Sequence, residues 1–329
     1  MRPDFRLRSV VRCASRISGV PSRRREHTLI GQVGQITPTA ETRPKLTTEV
    51  VVTGTGVPHL SPGRAGPGVL VRHASTLLQF DAGRATSLRL CEAGIQPQDL
   101  SALFVTHHHS DHLTGLADLV FARWLQSPLR HEPLAIVAPI GPSTRFLERM
   151  LDAYEDDIAV RMTHVGRKDS PAPEVIGFTA GSSASTVWSN PTIRVSARAV
   201  HHEPVAPAVA YRVETPDGVV VISGDTIACQ EVAELAAGAD VLVHEAYRRE
   251  AMKPLAAKFP VLAQIATYHA DTPAVGTIAN EASVRTLVLT HLIPAPRSEQ
   301  DKQGFIDDVR SGGFEGDVIV ADDLETIHF

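Results

Sequence analysis

The run Ala102-Leu103-Phe104-Val105-Thr106 is apolar enough for a buried strand, and it continues without a break into His107-His108-His109-Ser110-Asp111-His112. Few features restrict a fold more. A buried strand cannot carry six polar residues through a core, so the chain must deliver them to the end of a sheet, where its backbone leaves. In extended backbone, residues two apart share one side about 7 Å from each other, so His107 and His109 converge while His108 faces away. Asp111 and His112 follow where the chain turns toward a helical pattern at 114–126, which places them for a second centre. The competing reading is a histidine-rich tract that picks up metal adventitiously, and that reading needs no matching ligands elsewhere.

Matching ligands do recur, each at the end of a strand-like run. "ARAVHHEPVAPAVAYRVE" ends one run in His201 and His202, "VVVISGDT" ends another in Asp225, and "RTLVLTH" ends a third in His291. Taken singly, each has an ordinary explanation as a hydrogen-bonded loop or turn residue. Taken together with His107, His109, Asp111 and His112, they supply seven nitrogen and oxygen donors, enough for two ions and a bridging carboxylate. Cys13, Cys91 and Cys229 are odd in number, far apart and without a C-x-x-C pair, so any metal must be held by histidine and carboxylate.

The 329 residues are 43% hydrophobic, sufficient for one large core or two ordinary ones. No run reaches the roughly 18 apolar residues of a membrane helix, and Arg12 and Arg16 interrupt any secretory signal, so a cytoplasmic protein with no membrane partner is expected. Residues 1–30 carry a net charge of +6, which leaves −11 on the remainder of a chain totalling −5. Residues 1–46 lack a sustained period and form an expected basic, disordered segment. A single domain then spans 47–329, beginning at "TEVVVTGTG". Strands are expected at 48–53, 68–73, 76–80, 101–105, 134–138, 192–200, 207–214, 218–223, 239–244, 285–290 and 317–321. Helices are expected at 84–94, 114–126, 143–154, 229–237, 273–283 and 299–309. Hairpin-like pairs followed by strands alternating with helices indicate a layered α/β protein with mixed sheets. The Ser/Pro/Gly-rich stretch 165–191 reads as a long loop, either a lid or a plain surface excursion.

Thr106-His107-His108-His109-Ser110-Asp111-His112 resembles the T-H-x-H-x-D-H signature of the metallo-β-lactamase fold superfamily of metallohydrolases. A strand-end His202, Gly224-Asp225-Thr226 and Leu289-Thr290-His291 follow in that family's order. The resemblance implies a four-layer αβ/βα sandwich of two mixed β-sheets flanked by helices. It further implies one ion on His107, His109 and His202, a second on Asp111, His112 and His291, and Asp225 as the bridge. His202 is preferred because its downstream Pro204-Val205-x-Pro207-Ala208 looks like the arylsulfatase-like branch, with His201 as the fallback. "TGTGVP" (53–58), "LLQFDAGRAT" (77–86), "ADVLVHEAY" (239–247) and "YHADTP" (268–273) are similar to segments of ribonuclease Z and its arylsulfatase-like relatives. By that resemblance Asp81 supports the site without binding metal, His269 assists proton transfer, and Glu245 assists His269.

The implied chemistry is a dinuclear hydrolase. Two divalent ions about 3.5–4 Å apart lower the pKa of a bridging water toward roughly 7 and clamp ester oxygens, with Asp111 also orienting the hydroxide. Zinc suits the mixed ligation best, and manganese or iron would fit. The acidic body, and the absence of a Gly/Pro-rich basic arm between 113 and 200, favour small phospho- or sulfo-esters as substrates. Cleavage of tRNA at its 3′ end by a ribonuclease Z is the alternative, and a non-catalytic binding protein of the same fold is a second one. The resemblance also implies a possible homodimer.

Overall fold

Val50 and Val52 pack between two sheets while Val51, between them in sequence, packs against helices on the other side. Val220 and Ile222, and then Val241 and Val243, repeat this alternation in the second half, with Val221 and Leu242 turned outward. Strands buried on both faces read as continuous apolar runs, which is why the strand signals in this sequence are so strong. The computed structural model describes residues 47–127 and 132–329, so the basic segment expected at 1–46 lies outside the described residues.

The first sheet lays β1 (Thr48–Gly54), β2 (Gly68–His73), β3 (Thr76–Phe80), β4 (Ala102–Phe104), β5 (Ala135–Pro139) and β6 (Glu174–Phe178) side by side in chain order. The second lays β7 (Ser185–Ser189), β8 (Arg194–Ala199), β9 (Val209–Glu214), β10 (Val219–Ile222), β11 (Val241–Tyr247), β12 (Thr286–Ile293) and β13 (Asp317–Val320) likewise. The final strand, β14 (Thr326–His328), returns to pair antiparallel with β1. Strands β3 to β6 run parallel, as do β10 to β13, and the remaining pairs are antiparallel, so both sheets are mixed.

Three apolar layers hold the four structural layers together. The central one joins the sheets through Phe80, Phe104 and Tyr211, with Phe80 and Phe104 stacked at 4.7 Å between ring centroids. The two outer ones bury helix faces: Leu116, Leu119 and Val120 on the first sheet, and Val275, Ile278, Phe305 and Val309 on the second. The αβ/βα sandwich is therefore the observed architecture. No helix among the described residues is long and apolar enough to cross a membrane.

The stretch 165–191 is not a lid. It holds β6 and β7, the edge strands of the two sheets, and Trp188 meets Phe104 edge-on at 6.1 Å in the central layer. Short edge strands surrounded by Ser, Pro and Gly carry little periodic signal, which hid them from the sequence reading. The helices Glu155–Val165, Arg249–Ala256 and Pro260–Ile265 were also not anticipated; the first buries no residue, so it lacks the apolar stripe that marks a helix.

Parallel strands send their carboxyl ends the same way, and the crevice beyond those ends is where α/β sheets place chemistry. Val209 donates its amide to Thr106 O at 3.1 Å and Tyr211 donates its hydroxyl to Val105 O at 2.7 Å, so the sheets are tied at that rim. Gly224 completes the contact. Its φ is 61°, and a Cβ there would stand 2.8 Å from Thr106 Cβ, so a side chain would push the two sheets apart.

Candidate metal centre

His107 leaves β4 fully buried, and His109, Asp111 and His112 follow through a short helical turn, Ser110–Leu113. Asp81, at the end of β3, organises this arm. It accepts the Thr106 amide at 2.8 Å, the Thr106 hydroxyl at 2.7 Å and His112 Nδ1–H at 2.7 Å. Because the Thr106 hydroxyl donates to Asp81, its lone pairs accept His107 Nδ1–H at 3.0 Å. Both imidazoles therefore turn Nε2 inward, and both Nε2 atoms are buried without a hydrogen-bond partner. This is the arrangement that fixes tautomer and ring orientation for metal ligation.

The second sheet brings the complementary donors. His202, after β8, donates Nδ1–H to Tyr268 O at 2.9 Å and turns Nε2 to within 3.2 Å of His109 Nδ1. The rings of His107, His109 and His202 form a triangle with every side 4.9 Å. Asp225, after β10, puts Oδ1 3.4 Å from His112 Nε2, and Oδ2 3.8 Å from both His107 and His202 Nε2 and 3.3 Å from His291 Nε2. His291 Nε2 also stands 3.4 Å from Asp111 Oδ2. Asp81 and His291 have φ of 54° and 46°, a region that costs a side-chain-bearing residue on the order of 1 kcal/mol and that clusters at functional sites.

Donors about 2.1 Å from a tetrahedral cation lie about 3.4 Å from one another. The spacings of 3.2–3.8 Å among these atoms match. Of the four groups of donor atoms that lie within 4.8 Å of one another, two together contain all seven donors: His107, His109, His202 and Asp225, and Asp111, His112 and His291. Electrostatics agree. Burial and the neighbouring imidazoles hold His107 well below the usual histidine range, and burial takes His109 down to about 4, which keeps both neutral as ligands must be. Burial opposes charge on His112, yet Asp225 and Asp81 outweigh it and raise its pKa well above the ordinary value. Asp225 and Asp111 are depressed despite burial, chiefly by His291 in both cases. Buried carboxylates thus draw positive charge into the cluster, and divalent cations fit the demand.

His269 and Glu245 form a buried pair against the seven donors, and His269 completes the other two groups, with His202 and Glu245 and with Asp225 and His291. Both Glu245 oxygens lie 2.9 Å from His269 Nδ1, and the His269 ring stacks on His291 at 5.4 Å. Burial disfavours the imidazolium, but Glu245 pushes the His269 pKa up to about 9.

All seven sequence-selected donors meet in one cluster, and the ambiguities resolve. His202 lies inside, whereas the half-exposed His201 points to Glu203 at 3.5 Å and Glu231 at 3.3 Å. His108 stays outside both donor groups. Sequence reasoning missed Thr106 as the relay between Asp81 and His107, the Tyr268 carbonyl behind His202, and the Thr226 amide, which donates to Glu245 at 2.8 Å. The threonine that opens the histidine signature could have flagged the first; backbone groups leave no signal in residue identity. A cavity of about 610 Å³, lined by Leu147, Leu151, Ile158 and Met162, includes none of these donors.

Residues 76–292 match the family model described as "Beta-lactamase superfamily domain". The chain is 39% identical to a ribonuclease Z of Mycobacterium sp. (strain KMS) over 256 residues, 77% of this chain and 87% of that protein. It is 33% identical to a ribonuclease Z of Mycobacterium bovis (strain BCG / Pasteur 1173P2) over 85% of this chain and 97% of that one. Among solved structures, the metallo-β-lactamase fold protein YhfI from Bacillus subtilis superposes with a TM-score of 0.64 at 18% identity, covering 87% of this chain and all of its own. Human tRNase Z, short form, gives 0.62 at 21% identity over 85% and 98%. With the αβ/βα sandwich and the paired donor groups already in place, these likenesses make the chain a member of the β-lactamase superfamily, a metal-dependent hydrolase acting on ester bonds and a homologue of ribonuclease Z.

Proposed function

We propose that this chain is an endoribonuclease that processes the 3′ end of precursor tRNA. The observation that carries the reading is its 39% identity to a protein named ribonuclease Z across 87% of that protein's length, joined to a complete set of seven converging donors. The acidic body and the absence of a Gly/Pro-rich basic arm between 113 and 200 favour small esters in the sequence. Net charge, however, sums the whole surface, whereas a phosphodiester meets only the field inside its own groove. The relatives therefore weigh more than the sum.

His107, His109 and His202 would hold one divalent cation, Asp111, His112 and His291 a second, and Asp225 faces both groups. Imidazole with carboxylate suits zinc best. A bound pair supplies Lewis acidity and a nucleophile at neutral pH. The chain's own residues do the rest. Asp81 and Thr106 fix the tautomers of His112 and His107, and the Tyr268 carbonyl fixes that of His202. Asp111, a member of the second group, would also orient the attacking group. His269 has its Nδ1 taken by Glu245, so Nε2 is the atom that can give a proton to the leaving oxygen.

Assay of the purified protein on a precursor tRNA, an aryl phosphodiester, an aryl sulfate and a lactone tests this. Precursor tRNA should be cut at its 3′ side with the highest kcat/KM of the four. His269→Ala should keep its metal and lose about 100-fold in turnover. Turnover of the aryl ester with precursor tRNA left intact would replace this reading with small-ester hydrolysis.

A further inference from the structure

Glu245 has more partners than His269. It sits on β11, beside β10, the strand whose end carries Asp225, and it is 1% exposed. Its Oε1 accepts the Thr226 amide at 2.8 Å while also facing His269 Nδ1 at 2.9 Å, and its own amide donates to Ser223 Oγ at 3.2 Å. Ser223 in turn donates its amide to Val243 O at 3.0 Å. The four-residue turn Ser223-Gly224-Asp225-Thr226 is therefore fastened on both sides of Asp225 to one residue of the neighbouring strand.

We propose that Glu245 is a positioning residue with two separable tasks: through the Thr226 amide it holds the turn that aims Asp225 at both donor groups, and through His269 it orients the proton donor. The inference rests on the metal-binding reading of Asp225 given above. Its physical basis is that the Thr226 hydroxyl, bonded to His201, and Ser223 Oγ anchor the ends of the turn, while the amide directly after Asp225 has Glu245 Oε1 as its acceptor and Asp225 spends its oxygens on the imidazoles around it. Without Glu245 the buried Thr226 amide loses its acceptor, and the turn is free to reorient to find another. One carboxylate thus couples cation retention to acid placement, although His269 and Asp225 come from different elements.

The two tasks ask different things of residue 245. Holding Thr226 needs only an oxygen acceptor, which glutamine provides. Orienting His269 is different: its Nδ1–H faces both oxygens, and glutamine would set an amide N–H donor against it at one of them. Zinc affinity, measured by competition with a chromophoric chelator, and turnover on precursor tRNA should therefore separate. Glu245→Gln should keep zinc affinity within about threefold of wild type and lose about 100-fold in turnover, whereas Glu245→Ala should also lose 10- to 100-fold in zinc affinity. Repeating Glu245→Ala in a His269→Ala background removes the second task, and the affinity loss should persist undiminished. Equal zinc affinity in all variants, or a loss that vanishes once His269 is gone, would overturn the coupling. If Glu245→Ala fails to fold, Glu245→Gln still decides, since a tenfold affinity loss there contradicts the acceptor argument. A wild-type protein that binds no zinc at all would instead remove the metal-binding reading on which this rests.

Discussion

The two sheets contribute to the cluster in opposite ways. The first supplies His107, His109, Asp111 and His112 from six consecutive positions after β4, with His112 directly and His107 through Thr106 braced by one carboxylate, Asp81. The second supplies His202, Asp225 and His291 from three separate strand ends, each braced by something different: a backbone carbonyl, a turn fastened to β11, and a left-handed backbone beside Asp111. One half is a local structure that the chain builds as it leaves a strand. The other exists only when β8, β10 and β12 are in register. Local bonds survive the loss of a distant partner, while long-range convergence does not, so the halves should respond unequally to perturbation.

The strongest test of this inequality is Asp225→Ala, since Asp225 alone has oxygens directed at both donor groups. Activity should fall by more than about 100-fold and bound metal should drop below the wild-type level at both sites. Wild-type metal content and turnover in that variant would separate the two halves entirely. Removing metal by chelation comes next. A ligand held a thousandfold above its Kd stabilises by about 4 kcal/mol, which is roughly 10 °C in Tm for a domain of this size. Hydrogen exchange on the stripped protein should then rise at 201–206 and 224–227 but stay low at 107–113, where the Asp81 bonds remain. A uniform rise across the three segments would abolish the distinction. The smallest effect is expected from His201→Ala and His108→Ala, neighbours of donors that take no part in the cluster. Each should stay within about twofold of wild-type turnover, and a hundredfold loss in either would redraw the donor set.

Legibility followed the same division. The strands β1, β10 and β11, and the apolar run into His107, were plain from the sequence alone, because a continuous apolar run is written locally. The choice of His202 over His201 was not. Two adjacent histidines at a strand end have identical spacing signals, so the preference for His202 rested on a resemblance in the residues after it, and the packing of Tyr268 and His109 around His202 supplies the physical distinction. The edge strands β6 and β7 escaped for a related reason. An edge strand has one pairing partner and little apolar surface, so its identity comes from the neighbour it joins.

Glu245 marks the boundary between the two kinds of information. The family resemblance of its segment implied an assisting role for His269, but the Thr226 amide that it also holds carries no side-chain signature. The sequence by itself determined which donors exist, that they stand at strand ends, and how the strands between them bury their faces, since all of this depends on chemistry and spacing within a few residues. Tertiary structure decided which nitrogen of each ring turns inward, which of two histidines enters the cluster, and which carboxylate joins two elements. Those outcomes depend on sheet register and on backbone groups brought together from far apart, and no stretch of sequence contains both partners.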